Sequence, residues 1–351
     1  TGGSATLLTP GDFEVEDVSY DGKQVAYSSN QGDIDRRHLW KLGSSEPWTS
    51  GDGIECKPVD GGLAFLRADA RRPMHPAVKI GNEIRDLESP PADFPLQRMV
   101  KPQQVIFPSA DGMTLHGQLF LPPNPPAKSP ALVFFHGGSR RQMLLGWHPM
   151  YYYHNAYALN QYLANAGYIV LSVNYRSGIG YGMEFREASN YGPSGASEYN
   201  DVQGAGVWLR NRTDVDPNRI GAWGGSYGGY LTAMALARAS DLFRAGVDFH
   251  GVHDWAREIH IPPGEPDYRI AFESSPLHYV KQWRSPVLLI AGDDDPDVQF
   301  NQTVMLKDAL RRQKVPFEEL ILPGEGHDFV LWRTWRDTYK ATVDFFARRM
   351  K

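Results

Sequence analysis

The sequence predicts a mixed α/β protein with a large, mostly parallel sheet, preceded by a smaller region of β-strands. From residue 131 onward, short apolar runs alternate with amphipathic segments, whereas the first 95 residues are rich in turns and lack helical periodicity. Continuous apolar strands separated by amphipathic helices are typical of a doubly wound sheet with helices on both faces. In such sheets, functional residues follow the carboxyl ends of the strands.

Six apolar runs in the second region are predicted to be buried strands: 131–135, 168–173, 220–223, 245–249, 287–291 and 318–322. Five segments with helical periodicity are predicted to be helices: 155–165, 198–210, 227–239, 302–312 and 335–348. Two further strands precede them and flank Asp111-Gly112. That dipeptide favours a hairpin turn.

Composition limits the classes of partner. The chain has 351 residues, a formal net charge of −5 and no long basic run, which argues against nucleic acid and acidic membranes. Its apolar stretches are too short to span a bilayer. We therefore expect a soluble protein, either cytoplasmic or periplasmic or secreted. The single cysteine, Cys56, excludes an internal disulfide framework and a multi-cysteine metal site.

The first region contains a weak internal repeat. The dipeptide Asp21-Gly22 and the strand pattern after it recur at Asp60-Gly61, an offset of 39 residues. That offset is close to the period of roughly 40–45 residues in a four-stranded propeller blade. Two blades do not close a propeller, which needs about 4–8. A small β extension that covers the main domain is the alternative interpretation.

Domain organisation follows from these patterns. Residues 1–95 are predicted to form the terminal blades of an incomplete β-propeller and a linker, and residues 96–351 to form the α/β domain. The proline-rich stretch 90–102 lacks periodicity, as a linker does. An incomplete propeller implies that its remainder belongs to a longer chain or to a separate N-terminal fragment, which would then be a partner.

Residues 224–228 match the pattern Gly-x-Ser-x-Gly between a predicted strand and a predicted helix. In that context a sharp turn lifts one serine hydroxyl clear of the sheet, and small flanking residues let the strand and the helix pack closely. Ser226 is therefore the candidate nucleophile.

A base and an acid follow later strands. His327 comes shortly after the run 318–322, and a histidine takes the serine proton near neutral pH. The order serine, aspartate, histidine is that of the triads in α/β-hydrolases, which makes 96–351 a candidate α/β-hydrolase catalytic domain. Position alone leaves the acid open among Asp293, Asp294, Asp295 and Asp297. A cation-binding loop is the alternative for these aspartates, but they lack the spacing of a calcium loop.

The oxyanion hole is predicted from the strand 131–135, which ends in His136-Gly137-Gly138. In this fold the loop at that place supplies one backbone N–H, and the residue after the nucleophile supplies the other. Gly138 (or Gly137) and Tyr227 are the candidate donors. This chemistry needs no metal and no organic cofactor.

Two other residue pairs have competing interpretations. His250 and His253 lie three positions apart but lack a supported third ligand, so lining of the core or of a pocket is favoured over a metal site. Arg140 and Arg141 suit a substrate carboxylate, but paired surface arginines are the favoured interpretation.

Taken together, these segments resemble the prolyl oligopeptidase family of serine peptidases, from about residue 100 to the C-terminus and more loosely before it. Segments that carry the resemblance are Asp111-Gly112, His136-Gly137-Gly138, 174–178 with 180–182, 224–229, Gly292 with Asp295 and Val298, and 324–327. The resemblance implies a β-propeller over an α/β-hydrolase domain.

The resemblance also implies roles for single residues. The family places its triad aspartate three positions after a glycine, which is Asp295 here. The same matching makes Tyr227, Val252, Trp255 and Val298 walls of an apolar, aromatic pocket for the residue before the scissile bond.

Two positions depart from parts of the family. His136 stands where some relatives carry a tyrosine whose hydroxyl serves the oxyanion hole. Relatives with His-Gly-Gly use backbone N–H groups instead. Asp297 stands where dipeptidyl-peptidase relatives carry an asparagine that contacts substrate, so the choice among dipeptides, acylated residues and internal peptides stays open.

The resulting hypothesis is a serine hydrolase that cleaves peptide or amide bonds of short peptides through an acyl-enzyme, as an oligopeptidase or an aminopeptidase-type exopeptidase. A carboxylesterase with the same triad is the first alternative. A binding protein with a propeller module and a vestigial site is the second. The oligomeric state, including a homo-oligomer, is left open.

Overall fold

The computed structural model describes residues 3–350, so that Thr1, Gly2 and Lys351 lie outside the described residues. The chain divides into two compact units. One unit comprises the residues up to 102 together with 144–157 and 180–184, and the other comprises 103–143, 158–179 and the residues from 185 onward.

The first unit contains two antiparallel sheets. Their seven strands are β1 (Val15–Tyr20), β2 (Val25–Ser29), β3 (His38–Lys41), β4 (Ile54–Val59), β5 (Ala64–Ala68), β6 (His75–Ile80) and β7 (Glu83–Asp86). Strands β1 to β3 form one sheet and β4 to β7 the other, each with neighbours in chain order. Between residues 3 and 95 the described chain has no α-helix, in agreement with the missing helical periodicity.

Both Asp-Gly dipeptides of the internal repeat join antiparallel strands. Asp21-Gly22 lies between β1 and β2, and Asp60-Gly61 lies between β4 and β5. The Asp21 carboxylate accepts the backbone N–H groups of the two residues after Gly22, each at 2.7 Å. This bonding to the nearby backbone is why aspartate favours such turns.

The second unit contains an eight-stranded sheet. Its strands are β8 (Gln103–Pro108), β9 (Thr114–Phe120), β10 (Ser129–Phe135), β11 (Ile169–Asn174), β12 (Val215–Gly225), β13 (Ala245–Phe249), β14 (Val287–Gly292) and β15 (Phe317–Leu322). The order across the sheet is β15-β14-β13-β12-β10-β11-β9-β8. Strands β10 to β15 pair in parallel, and β8 and β9 add an antiparallel edge. A mixed α/β architecture with a large, mostly parallel sheet is thereby confirmed.

Helices alternate with these strands. They are α1 (Tyr151–Asn165), α2 (Met183–Arg186), α3 (Tyr199–Arg210), α4 (Tyr227–Arg238), α5 (Trp255–Glu258), α6 (Tyr268–Glu273), α7 (Asn301–Gln313) and α8 (Trp332–Arg349). Among residues 3–350, none of the helices combines the length and the apolar character that crossing a bilayer requires.

Strand and helix ends agree with the predicted ones to within a few residues, with one larger difference. The strand predicted at 220–223 is observed as Val215–Gly225. Its first residue, Val215, already pairs with β10, and an irregular stretch separates that contact from the regular pairing that begins at Ile220. Asp216-Pro217-Asn218 lies within that stretch, and these residue types favour a turn, so the sequence does not predict the start of the strand.

Parallel pairing positions the candidate site. Strands β10, β12, β13, β14 and β15 run in the same direction, so the segments that follow them emerge at one edge of the sheet. Every residue of β13 and β14 is buried, and the strands therefore form a rigid base for that edge.

Candidate active site

Ser226 lies between the end of β12 and the first residue of α4, in a strained backbone conformation. Its φ is +60° and its ψ −121°, a region that a residue with a side chain seldom adopts. The Ser226 N–H points back to the end of β13, with the carbonyl oxygen of Phe249 at 2.9 Å and Nδ1 of His250 at 3.2 Å. The backbone of the candidate nucleophile is therefore held on the sheet side, at a residue that is partly exposed.

The second glycine of the Gly-x-Ser-x-Gly pattern allows a close backbone approach. A Cβ at Gly228 would lie only 2.0 Å from the carbonyl oxygen of Phe135, at the end of β10. Any side chain at this position would push α4 away from the sheet. The pattern thus reflects packing of the helix against β10 as well as the sharp turn.

Asp295 and His327 form a hydrogen-bonded pair. Nδ1 of His327 lies 2.7 Å from Oδ2 of Asp295. The other carboxylate oxygen, Oδ1, accepts the backbone N–H groups of Asp297 and Val298, both at 2.9 Å. An ionised carboxylate only accepts hydrogen bonds, so Nδ1 of His327 carries the proton and Nε2 is the nitrogen that can take one.

The neighbouring aspartates have other environments. Oδ1 of Asp293 accepts the N–H of Gly324 at 2.7 Å. Asp294 and Asp297 are exposed, whereas the side chain of Asp295 is 1% exposed. The structure therefore brings Asp295, among the four candidate aspartates, into hydrogen-bonding distance of His327.

Charge attraction within the pair shifts both pKa values. Burial alone would raise the pKa of Asp295, but the hydrogen bond and the positive charge of His327 outweigh burial and lower it. Burial alone would lower the pKa of His327, but the hydrogen bond and charge of Asp295 raise it above its ordinary value of 6.5. The pair thus favours an ionised aspartate and a basic histidine.

The two candidate oxyanion donors lie at the start of a helix and in the loop after β10. Tyr227 is the first residue of α4, and the first N–H groups of a helix have no partner within it and lie at its positive end. Gly138 has a φ of +116°, a conformation that favours glycine.

The loop after β10 is anchored by a buried histidine. The ring of His136 stacks on that of Tyr175 with centroids 4.3 Å apart, and the Tyr175 hydroxyl donates to the His136 carbonyl at 2.7 Å. Burial lowers the pKa of His136 to about 4. His136 is therefore a neutral ring that supports the loop.

The four residues matched to a substrate pocket are all buried, with exposed fractions of 4–9%. The rings of Tyr227 and Trp255 lie 5.6 Å apart. Val298 is tied to the site through its N–H, which bonds Asp295. Val252 lies on the loop that follows β13, two residues after His250.

His250 lies in the site, whereas His253 lies in the core. Potential ligand atoms of His250, Asp295 and His327 are within 4.8 Å of one another. However, Nδ1 of His250 accepts the Ser226 N–H, so its proton is on Nε2, and Nδ1 of His327 is bonded to Asp295. A metal would have to displace these bonds. His253 bonds Asp248 at 2.7 Å and the Gln302 carbonyl at 2.9 Å, as a satisfied buried histidine does.

Sequence reasoning missed one buried carboxylate beside the site. Glu198, predicted only as the first residue of a helix, is completely buried and accepts the hydroxyl of Tyr227 at 2.7 Å. A glutamate before a helix usually faces solvent, so the sequence carries no signal for this contact.

Comparisons with known proteins agree with this architecture. The chain matches the prolyl oligopeptidase family over residues 154–351. It is 30% identical over 247 residues to dipeptidyl aminopeptidase BIII of Pseudoxanthomonas mexicana, which covers 63% of this chain and 34% of that protein. It is 28% identical over 230 residues to the acylamino-acid-releasing enzyme of Rattus norvegicus, which covers 60% of this chain and 30% of that protein.

The fold is also found in a solved structure, the acylaminoacyl peptidase of Pyrococcus horikoshii. The TM-score is 0.83 at 24% identity, over 97% of this chain and 56% of the other. The chain spans about a third of the length of the two curated relatives. Since the family match extends over more than half of the chain and covers the segments that contain Ser226, Asp295 and His327, the protein belongs to the prolyl oligopeptidase family of serine peptidases.

Proposed function

We propose that the chain is a serine peptidase that hydrolyses peptide or amide bonds of short peptides through an acyl-enzyme. The observation that carries the proposal is the Asp295–His327 pair, joined at 2.7 Å, together with Ser226 on a strained turn between β12 and α4. The ring of His250 contacts both the Ser226 N–H and the His327 ring. In this proposal Ser226 is the nucleophile, His327 the base and Asp295 the residue that orients it. No metal or organic cofactor takes part in these steps.

Acylation begins when Nε2 of His327 takes the proton of the Ser226 hydroxyl as Oγ attacks the substrate carbonyl carbon. The carbonyl oxygen becomes an oxyanion, which the N–H groups of Tyr227 and Gly138 stabilise. Removing one such donor typically costs about 100- to 1000-fold in rate. The protonated His327 then gives its proton to the leaving amine, the C–N bond breaks, and the acyl group stays on Oγ.

Deacylation repeats these roles with water as the nucleophile. His327 takes a proton from water, the hydroxide oxygen attacks the acyl carbon, and the oxyanion again occupies the hole. Collapse of the intermediate breaks the bond to Oγ, and His327 returns the proton to Ser226. Asp295 remains ionised and stabilises the imidazolium in both halves, consistent with its lowered pKa.

The proposed pocket gives an apolar preference at the residue before the scissile bond. Tyr227, Val252, Trp255 and Val298 present aromatic and branched aliphatic side chains there. Among the relatives, the names of the Pseudoxanthomonas mexicana and Rattus norvegicus proteins describe release of dipeptides and of acylated amino acids. Cleavage at or near the amino end of short peptides is therefore the first specificity to examine, with a mixed peptide library as substrate.

The two-domain organisation remains part of the proposal. We infer that residues 1–95 are terminal blades of an incomplete β-propeller with a linker, and that 96–351 form an α/β-hydrolase domain. The four-stranded antiparallel sheet β4 to β7, with neighbours in chain order, supports the inference of propeller blades, because a propeller blade has that topology. A separate N-terminal fragment or a homo-oligomer would appear as added mass in native mass spectrometry.

A fluorophosphonate probe tests the nucleophile. We expect one label per chain, located on Ser226 by peptide mapping, and no label on Ser226→Ala. Ser240→Ala is the matched control, because the Ser240 hydroxyl bonds the Leu236 carbonyl at the far end of α4. Labelling of Ser226→Ala at the wild-type rate would contradict the proposal.

The same triad would also serve a carboxylesterase, so substrate class needs its own test. We expect turnover of aminoacyl anilides, which have amide bonds, in addition to turnover of short acyl esters. Hydrolysis of esters alone would favour a carboxylesterase. A folded protein that hydrolyses neither class would favour a binding protein with a vestigial site.

A further inference from the structure

A carboxylate without a role in the reaction contacts the side chain of Tyr227, whose N–H is a candidate oxyanion donor. Glu198 precedes α3, and none of its surface is exposed. Such burial of an acid is costly unless its oxygens are hydrogen-bonded. Its contacts therefore indicate what it holds in place.

The contacts of Glu198 converge on Tyr227. Oε1 accepts the Tyr227 hydroxyl at 2.7 Å. The N–H of Gly192 donates to both carboxylate oxygens, at 3.0 and 3.1 Å. The carboxylate thus fastens the end of the Tyr227 side chain to the loop before α3.

Aromatic rings enclose the rest of the Tyr227 side chain. Its ring lies 5.2 Å from Tyr230, 5.6 Å from Trp255 and 6.0 Å from Tyr175. The Tyr175 ring is parallel to it, and that of Tyr230 is edge-on. With the hydroxyl fastened and the ring enclosed, the Tyr227 side chain has one orientation.

The Tyr227 hydroxyl keeps its proton at neutral pH, whereas Glu198 gains a proton as the pH falls through about 7. Burial raises the pKa of Glu198 to about 7, against the opposing effect of its hydrogen bonds. Burial and the neighbouring Glu198 charge raise the pKa of Tyr227 well above 10, so its hydroxyl keeps the proton that it donates. Tyr175, Tyr230 on α4 and Asp201 on α3 are further titratable groups that act on this pair.

We propose that Glu198 is a positioning residue, which acts through the Tyr227 side chain to hold the Tyr227 N–H in the oxyanion hole. The inference rests on the proposed function, in which that N–H stabilises the oxyanion. Tyr227 follows directly on the strained Ser226, so the tilt of the peptide unit between them depends on how its neighbours are held. A displacement of about 1 Å at such a donor is enough to cost roughly 100-fold in rate.

The test combines Tyr227→Phe, Glu198→Ala and Glu198→Gln in steady-state kinetics. Tyr227→Phe removes only the hydroxyl, and we expect kcat to fall on the order of tenfold, less than the roughly 100-fold cost of a full 1 Å displacement, with little change in KM. Glu198→Ala is expected to match it. Glu198→Gln, which keeps an acceptor oxygen, is expected to recover most of the lost kcat.

Two further measurements separate positioning from general damage. The double variant Tyr227→Phe/Glu198→Ala should be no slower than either single variant, because both remove one interaction. Tyr168→Phe, which removes the hydroxyl of a buried tyrosine on the entry to β11, should keep wild-type kinetics. Thermal unfolding reports whether each variant is folded.

Each outcome has one meaning. A rise in KM with unchanged kcat would limit Tyr227 to a pocket wall and overturn the inference, as would additive losses in the double variant. If Glu198→Ala does not fold, Tyr227→Phe and Glu198→Gln still decide. Wild-type turnover by Ser226→Ala would instead contradict the proposed function, independently of Glu198.

Discussion

The imidazole rings of His250 and His327 lie with their centroids 4.3 Å apart, at an angle of 54°. His250 also accepts the N–H of Ser226 at 3.2 Å, so one buried side chain touches the candidate base and the backbone of the candidate nucleophile. Burial and the charge of His327 lower the pKa of His250 well below 6.5, so His250 stays neutral. A neutral ring at this position screens His327 from water without adding a charge.

Replacing His250 should therefore shift the pH profile. His250 has a φ of +39°, which asparagine tolerates, and an asparagine oxygen can accept the Ser226 N–H. In His250→Asn, water gains access to His327, and since burial lowers the pKa of that histidine, we expect the acid limb of kcat/KM to move to higher pH. A limb at the wild-type position with unchanged kcat would show that the ring contact has no effect. His253→Asn would be expected to act on stability instead, since His253 bonds Asp248 and Gln302 in the core.

Asp295→Asn should nearly abolish turnover. An asparagine at this position can leave Nδ1 of His327 without a full acceptor and favours the wrong tautomer, which in serine proteases costs about 10⁴-fold in kcat. Asp294→Asn is the matched control, because Asp294 immediately precedes Asp295 in the chain and is exposed, whereas Asp295 is buried. Comparable losses in the two variants would argue against Asp295 as the triad acid.

The wild-type pH profile should itself report on the pair. Only neutral His327 accepts the Ser226 proton, and Asp295 raises the His327 pKa above 6.5. As pH falls through that pKa, the fraction of protonated His327 grows, so kcat/KM should fall with a midpoint above 6.5. The residual activity of Asp295→Asn, measured over the same range, should show a lower midpoint because the negative charge is gone. An unchanged midpoint would mean that another group controls the acid limb.

The buried ion pair between Arg176 and Asp201, outside the candidate site, should contribute strongly to the free energy of unfolding. Arg176 bonds Asp201 through its backbone N–H at 2.7 Å and through its guanidinium, and the Asp201 side chain has no exposed surface. Removing one member of a buried pair typically costs about 3–5 kcal/mol, so Asp201→Ala should lower the urea midpoint strongly. Glu187→Ala, which breaks the partly exposed pair with Arg140, should cost about 0–1 kcal/mol. Similar midpoints for both variants would contradict this assignment.

Local patterns predict most of the second unit's sheet and helices. The strand predicted at 287–291 is observed as Val287–Gly292, because a continuous apolar run has few other ways to be buried. The start of β12 is missed, since Asp216-Pro217-Asn218 has turn chemistry but lies within an irregular part of the strand. Helix α8 begins at Trp332, three residues before the predicted start, where the exposed Trp332 contributes nothing to an apolar face.

Some residues of the candidate site can also be predicted from local sequence, and others cannot. Ser226 can be recognised from its motif, because Gly-x-Ser-x-Gly between a strand and a helix is typical of one local geometry. Position alone leaves four candidate aspartates, and choosing Asp295 required the family resemblance. The hydrogen bond between Asp295 and His327 joins residues 32 positions apart, a separation that no local pattern encodes.

The sequence by itself determined the α/β class, the alternation of strands and helices, and the residues placed at the carboxyl ends of the strands, because each depends on local hydrophobic periodicity and turn chemistry. Only the tertiary structure decided which of those residues meet. The sequence predicts only that His250 lines the core or a pocket, whereas the structure places its ring against that of His327. Likewise, the sequence predicts Glu198 only as the start of a helix, whereas the structure shows it bonded to Tyr227, 29 positions away. Burial and hydrogen bonding depend on how distant segments pack, so these contacts arise only when β12, β13 and the loop before α3 come together.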